Sequence, residues 1–348
     1  MGLVGPATGY GVSMPPTRAP SAAPPRPAPA PGTMPRWDSL DVLRGLALCG
    51  MVAHHFAKWT GERVGERFVG WPGFVVTDLA APMFAVGVGA AALLVGHQVR
   101  GDRRRLGRAT FRWGQVLALG LVLDLAVGGG IDGGGVLPTL AVLGTVVMLL
   151  TMAGLHRPWQ WWGIAAGCAL AAVPVTRLGW TGFLGELWSG SFSVVVYGLF
   201  AAAGAGLAAS ARPAGERALP LLRAAGAVLV VGVLARLAIP QWVAPDGIWV
   251  PRRHPGDLAF TLWGLVGTLV VWAVVRRTIS VGTRLGAGLA RAGRRTLLVF
   301  GGHYLVKLVL QRADLLGELD TRAWGLAAWA AAGVVCAAAM LPWRTPER

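Results

Sequence analysis

Long apolar runs recur between residues 40 and 342, and several approach the roughly 20 residues that an α-helix needs to cross a bilayer. In hydrocarbon the backbone N–H and C=O groups have no water to pair with, so such runs are committed to helices whose hydrogen bonds close within each segment. With 54% hydrophobic and only 14% charged residues, the chain is predicted to be an all-α, polytopic membrane bundle. Ten spans are expected, at about 40–57, 73–97, 111–127, 136–154, 159–176, 191–210, 220–239, 257–276, 295–311 and 323–342. Residues 1–35, rich in Pro, Ala, Gly and Ser, read as a disordered tail rather than a signal peptide. Residues 36–343 form the membrane domain and 344–348 a second short tail.

The formal charge of +16 is spread through short loops between apolar runs, which argues against nucleic acid as a partner. If both termini are cytoplasmic, inner segments hold 21 of the 32 basic residues and outer loops 8. Two clusters dominate the inner side: Arg100, Arg103, Arg104, Arg105, Arg108 and Arg112, then Arg276, Arg277, Arg284, Arg291, Arg294 and Arg295. Localisation in the cell membrane follows. The excess of Ala, Gly and Arg over Lys points to a GC-rich bacterial genome. Cys49, Cys168 and Cys336 all fall in apolar runs, without metal-ligand spacing or a disulfide framework.

The first apolar run contains Asp41, Arg44, His54 and His55. Ionisable groups are costly inside a bilayer, so these mark a functional site by default. Arg44 and His55 are eleven residues apart, about three helical turns, and share one face. Asp41 and Arg44, at i,i+3, are spaced to pair. The competing reading is a topogenic arginine and a helix-end histidine. Asp78, early in the second run, lies at a depth similar to His55, as either its orienting carboxylate or a structural hydrogen-bond partner. His303 lies midway along the ninth run beside Gly301 and Gly302, which would permit close approach of a backbone or ligand, with Lys307 one turn on. There the alternative is a packing histidine near a snorkelling lysine. Asp124 and Arg236 read as interfacial, and His97 and His156 as inner-interface residues outside any catalytic group. His254 has a weak claim from an outer loop. The Gly-rich stretch 128–135 reads as a plain connector rather than a phosphate cradle.

The pattern Arg36-x-x-Ser-Leu-Asp-Val-Leu-Arg-Gly-Leu-Ala-Leu-x-x-Met-Val-x-x-His55 resembles the opening of the transmembrane acyltransferase superfamily. This superfamily includes heparan-α-glucosaminide N-acetyltransferase-like proteins and, more distantly, bacterial type-three acyltransferases. Trp71-Pro-Gly-Phe-Val-Val-Thr-Asp78 through Pro82-Met-Phe84 continues the likeness. Looser echoes are Gly135-Val-Leu137, His254-Pro-Gly-Asp-Leu-Ala-Phe260 and Gly293-Arg-Arg-Thr-Leu-Leu-Val-Phe-x-x-His303.

The resemblance implies transfer of an acyl group, acetyl first among them, from cytoplasmic acyl-CoA to a hydroxyl or amine of a sugar-like, lipid-linked or natural-product acceptor. The Arg44-to-His55 spacing is similar to that of the type-three relatives, and it implies His55 as general base. Asp78 would orient the His55 ring and His303 would donate to the thioester oxygen or the acceptor. Arg44, with Asp41 beside it, would face the acyl-CoA, and no metal is implied. One position departs from the pattern: the glucosaminide acetyltransferases carry a functional histidine three residues before the outer-loop Trp, where this chain has Phe68. Direct transfer is therefore expected rather than an acetyl-histidine intermediate at that site. A proton-coupled transporter and a non-catalytic membrane partner of the same fold remain as alternatives, and a homodimer is left open.

Overall fold

The computed structural model describes residues 37–59, 79–128, 135–177, 192–212, 214–238, 258–312, 330 and 333–342. The chain divides into two units, 1–34 and 35–348, and all described residues belong to the second. The expected tails, Phe68, Trp71, Asp78, His254 and most of the expected outer loops lie outside the described residues.

The described residues are helical, with no strand among them. In chain order the helices are α1 (Asp38–Trp59), α2 (Ala80–Val99), α3 (Arg103–Gly128), α4 (Val136–Met152), α5 (Pro158–Arg177), α6 (Val194–Ala211), α7 (Leu221–Ala238), α8 (Leu258–Thr278), α9 (Arg284–Arg294) and α10 (Thr296–Arg312). A further helix, α11, covers 333–340. Four described helical stretches are long and apolar enough to cross a membrane: Ala80–Val99, Arg103–Ala126, Val194–Ala211 and Glu216–Leu234. Val136–Met152 and Thr296–Val306 are apolar but shorter.

Helices α2 and α6 are apolar on every face and form the centre, as an all-round hydrophobic helix must. They touch backbone to backbone. A Cβ on Gly89 would collide with the Ala201 carbonyl, and one on Gly204 with the Val86 carbonyl. Small residues allow this approach, and dispersion and packing replace the hydrophobic drive that is missing between helices in lipid. Helix α4 packs on α2 and α6, α5 on α6, and α8 against α7 and α1. Helix α3 is peripheral, with Phe111, Val122 and Leu125 exposed.

Two features depart from the expected spans. Helix α3 starts at Arg103, well before residue 111, so much of the first arginine cluster is helical. Arginine is a good helix former, and the Asp102 carboxylate accepts the Arg105 backbone N–H at 3.0 Å to cap the end. The second departure is α9, which occupies a stretch expected to be a basic loop. Thr283 caps it by accepting from Gly286 N at 3.1 Å. Its Gly286, Leu289, Ala290 and Gly293 are buried while Arg284 and Arg294 stay exposed.

Helix α9 lies directly on α1. A Cβ on Gly45 would overlap the Leu289 carbonyl, and one on Gly293 the Asp41 carbonyl. The start of α1 is tied down as well. The Glu216 carboxylate accepts the Ser39 backbone N–H at 3.0 Å, placing negative charge at a helix N-terminus. Trp272 Nε1–H donates to Ser39 Oγ at 2.7 Å, and Arg276 donates to the Glu216 and Leu219 carbonyls at 3.0 and 3.1 Å. Replacing Gly293 with Val should force α9 off α1 and cost about 1–3 kcal/mol. Thermal unfolding in detergent should show a lowered midpoint, whereas Gly302→Ala, where a Cβ meets nothing within 4 Å, should leave it unchanged.

Candidate active site

Helix α9 runs toward the start of α1, since Leu289 meets Gly45 and Gly293 meets Asp41. The chain turns at Arg295, and α10 returns toward the other end of α1. This reversal brings His303 to His55, 248 residues away in sequence, with His55 Nδ1 at 2.8 Å from His303 Nε2. The ring centroids are 5.1 Å apart and the planes 19° from parallel, so the two rings meet edge to edge through these nitrogens. His303 is completely buried and His55 half-buried. The second nitrogen of His303, Nδ1, lies 3.2 Å from the Val299 carbonyl, one turn back on the same helix.

Aromatic rings enclose the pair. Phe300 meets His303 edge-on at 5.2 Å, and Tyr304 meets His55 edge-on at 5.3 Å. His54 lies beside His55 with ring centroids 6.0 Å apart. Val299, Phe300, His303 and Tyr304 share one side of α10 because i, i+3 and i+4 residues align on a helix. The glycines next to His303 have a different role from the one expected. A Cβ on Gly301 would meet only the Leu119 side chain, at 3.6 Å, in ordinary contact, and Gly302 faces open space. The close backbone approaches are at α9 instead.

Sequence reasoning missed Tyr304 and the structural role of Asp124. The Asp124 carboxylate accepts the Gly135 backbone N–H at 3.0 Å, so it serves the start of α4. The His303-Tyr304 dipeptide was the available signal for Tyr304. Asp124 had none, because its partner is a backbone group brought in by the fold.

Arg44 and Asp41 face different neighbours. The aliphatic stem of Arg44 lies against Gly87 of α2, where a Cβ would sit 3.2 Å from its Cγ. The nearly buried Asp41 carboxylate is 3.8 Å from the Arg294 guanidinium. The second arginine cluster is largely engaged in holding helices. Arg291 Nε donates to the Met340 carbonyl at 2.7 Å and Arg295 to the Leu341 carbonyl at 2.9 Å, pairing the C-terminal end of α11. In the first cluster Arg100, Arg103, Arg104, Arg105, Arg108 and Arg112 are exposed, and Arg105 lies 3.1 Å from Asp102. His97 and His156 come together elsewhere, at the far end of α2, with ring centroids 6.3 Å apart and Arg212 2.8 Å from His97 Nδ1. The thiols of Cys49 and Cys336 are in contact between α1 and α11. Among the described residues no group of three His, Cys, Asp or Glu is placed to hold a metal ion.

Substituting Asp124 by Ala removes the acceptor for Gly135 N and should cost about 1 kcal/mol. Thermal unfolding in detergent should show the loss, and Asp124→Asn, which keeps an acceptor oxygen, should recover most of it.

Residues 36–193 match the family described as heparan-alpha-glucosaminide N-acetyltransferase, catalytic. A search of the curated proteins finds no match. The matched segment carries α1 with Arg44 and His55, and it ends just before α6. His303 and the late Gly293-to-His303 likeness lie beyond it. Over residues 36–193 the chain is therefore similar to an acyltransferase family like heparan-α-glucosaminide N-acetyltransferase, and the match supports a membrane acetyltransferase.

Proposed function

We propose that the protein moves an acetyl group from acetyl-CoA to a hydroxyl or amine of a sugar-like, lipid-linked or natural-product acceptor, with His55 as general base. The observation that carries the reading is that His55, inside the segment matching an acetyltransferase family, is held against a buried histidine of α10. An imidazole in a largely apolar, hydrogen-bonded setting suits proton transfer from an acceptor of poor acidity. The acceptor loses its proton to His55 and attacks the thioester carbonyl. The tetrahedral intermediate collapses by breaking the C–S bond. The departing thiolate takes the proton from the imidazolium and leaves as CoA thiol.

The donor's phosphates cannot enter hydrocarbon and need cations at the membrane surface. The exposed arginines 100–112 supply them, since Arg276, Arg291, Arg294 and Arg295 already serve the protein's own carbonyls and Asp41. Arg44, further along α1 with Asp41 nearby, lines the path to His55. In this topology ten helices span the membrane and both termini are cytoplasmic. The acceptor then reaches His55 from the outer side or from lipid, and Asp78 joins the site at that depth.

The test is acetyl transfer by the full chain in liposomes, with radiolabelled acetyl-CoA and a panel of amino-sugar and lipid-linked acceptors. His55→Ala should lower kcat by about 10²–10⁴-fold while acetyl-CoA binding persists. Arg44→Ala should weaken that binding. A folded His55→Ala protein with full transfer would refute the base assignment. Uncoupler-sensitive solute flux without acetyl-CoA dependence would favour a transporter.

A further inference from the structure

We propose that His303 is a positioning residue that fixes the tautomer of His55 and makes His55 Nε2 the basic atom. The geometry alone leads there, and its chemical use rests on the acetyl-transfer reading above. The Val299 carbonyl can only accept, so His303 Nδ1, 3.2 Å away, carries a hydrogen. A neutral imidazole has a single N–H, so His303 Nε2 carries a lone pair. That lone pair is 2.8 Å from His55 Nδ1, which must therefore be the donor. A neutral His55 with hydrogen on Nδ1 has its own lone pair on Nε2.

A backbone carbonyl thus sets the proton arrangement of both rings. It cannot change protonation state, so the register persists through a reaction cycle. Two further features hold it. His303 is completely buried, which keeps water from competing for its Nε2. Phe300 packs nearly perpendicular to its ring at 5.2 Å and opposes a ring flip. The arrangement also selects the less favoured tautomer, since imidazole in water prefers hydrogen on Nε2. A base is commonly oriented by a carboxylate, whereas here the described orienter is neutral.

The experiment is nitrogen NMR of the full chain in detergent, with ¹⁵N-histidine, at a pH where the rings are neutral. The chain has 6 histidines; loss of one signal set in His55→Gln assigns His55, and the set lost in His303→Gln assigns His303. Wild-type His55 should show a protonated Nδ1 and a bare Nε2. His303→Phe, which cannot accept, should return His55 to the tautomer favoured in water. It should also lower kcat by about 10²-fold with the KM for acetyl-CoA little changed. His303→Gln, whose amide oxygen can accept from Nδ1–H, should keep the wild-type tautomer and recover most of kcat. A bare Nδ1 on wild-type His55 would overturn the proposal, and so would an unchanged tautomer in His303→Phe. If His303→Phe fails to fold, the wild-type and His303→Gln spectra decide. Absence of acetyl transfer by the wild type would count against the proposed function, while the tautomer measurement would still judge this inference.

Discussion

Everything about the site depends on how closely α1 and α9 approach. Their backbones touch where Gly45 meets the Leu289 carbonyl and Gly293 meets the Asp41 carbonyl. Because the chain reverses immediately afterwards, this contact fixes where α10 begins and how far it travels along α1. His303 lies seven residues, about 10 Å of helix, beyond Thr296, so its place beside His55 depends on where α10 begins. A shift of one residue in the α1–α9 register would move the rings by about 1.5 Å and 100°, enough to break a 2.8 Å hydrogen bond.

Polar groups in this bundle are paired with considerable economy. Glu216 serves the N-terminus of α1, Arg276 the carbonyls at 216 and 219, Asp124 the start of α4, and Arg291 and Arg295 the end of α11. Each removes an orphan helix-terminal group that lipid cannot satisfy. Much of what looks in sequence like a functional charge is therefore structural. The histidine pair serves no helix end, and it lies inside the aromatic cluster of Phe300 and Tyr304.

The helices were largely legible in the sequence. Apolar runs at 136–154, 159–176 and 191–210 fall on α4, α5 and α6 within a few residues. The arginine-rich starts were not legible, because a run of charge reads as a loop in sequence. Helix α9 was hidden for the same reason, although Thr283 as a cap and small residues at 286, 290 and 293 carried the pattern. Asp41 shows the limit from the other side. Its spacing from Arg44 was visible in the sequence, while its contact with Arg294 depends on a helix that arrives 250 residues later.

The sequence by itself determined the material and the candidates: apolar runs of bilayer length, ionisable groups within the first of them, and a motif that carries the acyltransferase likeness. These are local properties, set by composition and by the helical repeat. Only the tertiary structure decided which candidates meet. No spacing rule links His55 to His303, because their proximity comes from two glycine contacts and a chain reversal at Arg295. Hydrogen-bond direction in the pair was likewise beyond the sequence, since it is dictated by the Val299 carbonyl, a backbone group that no residue pattern displays.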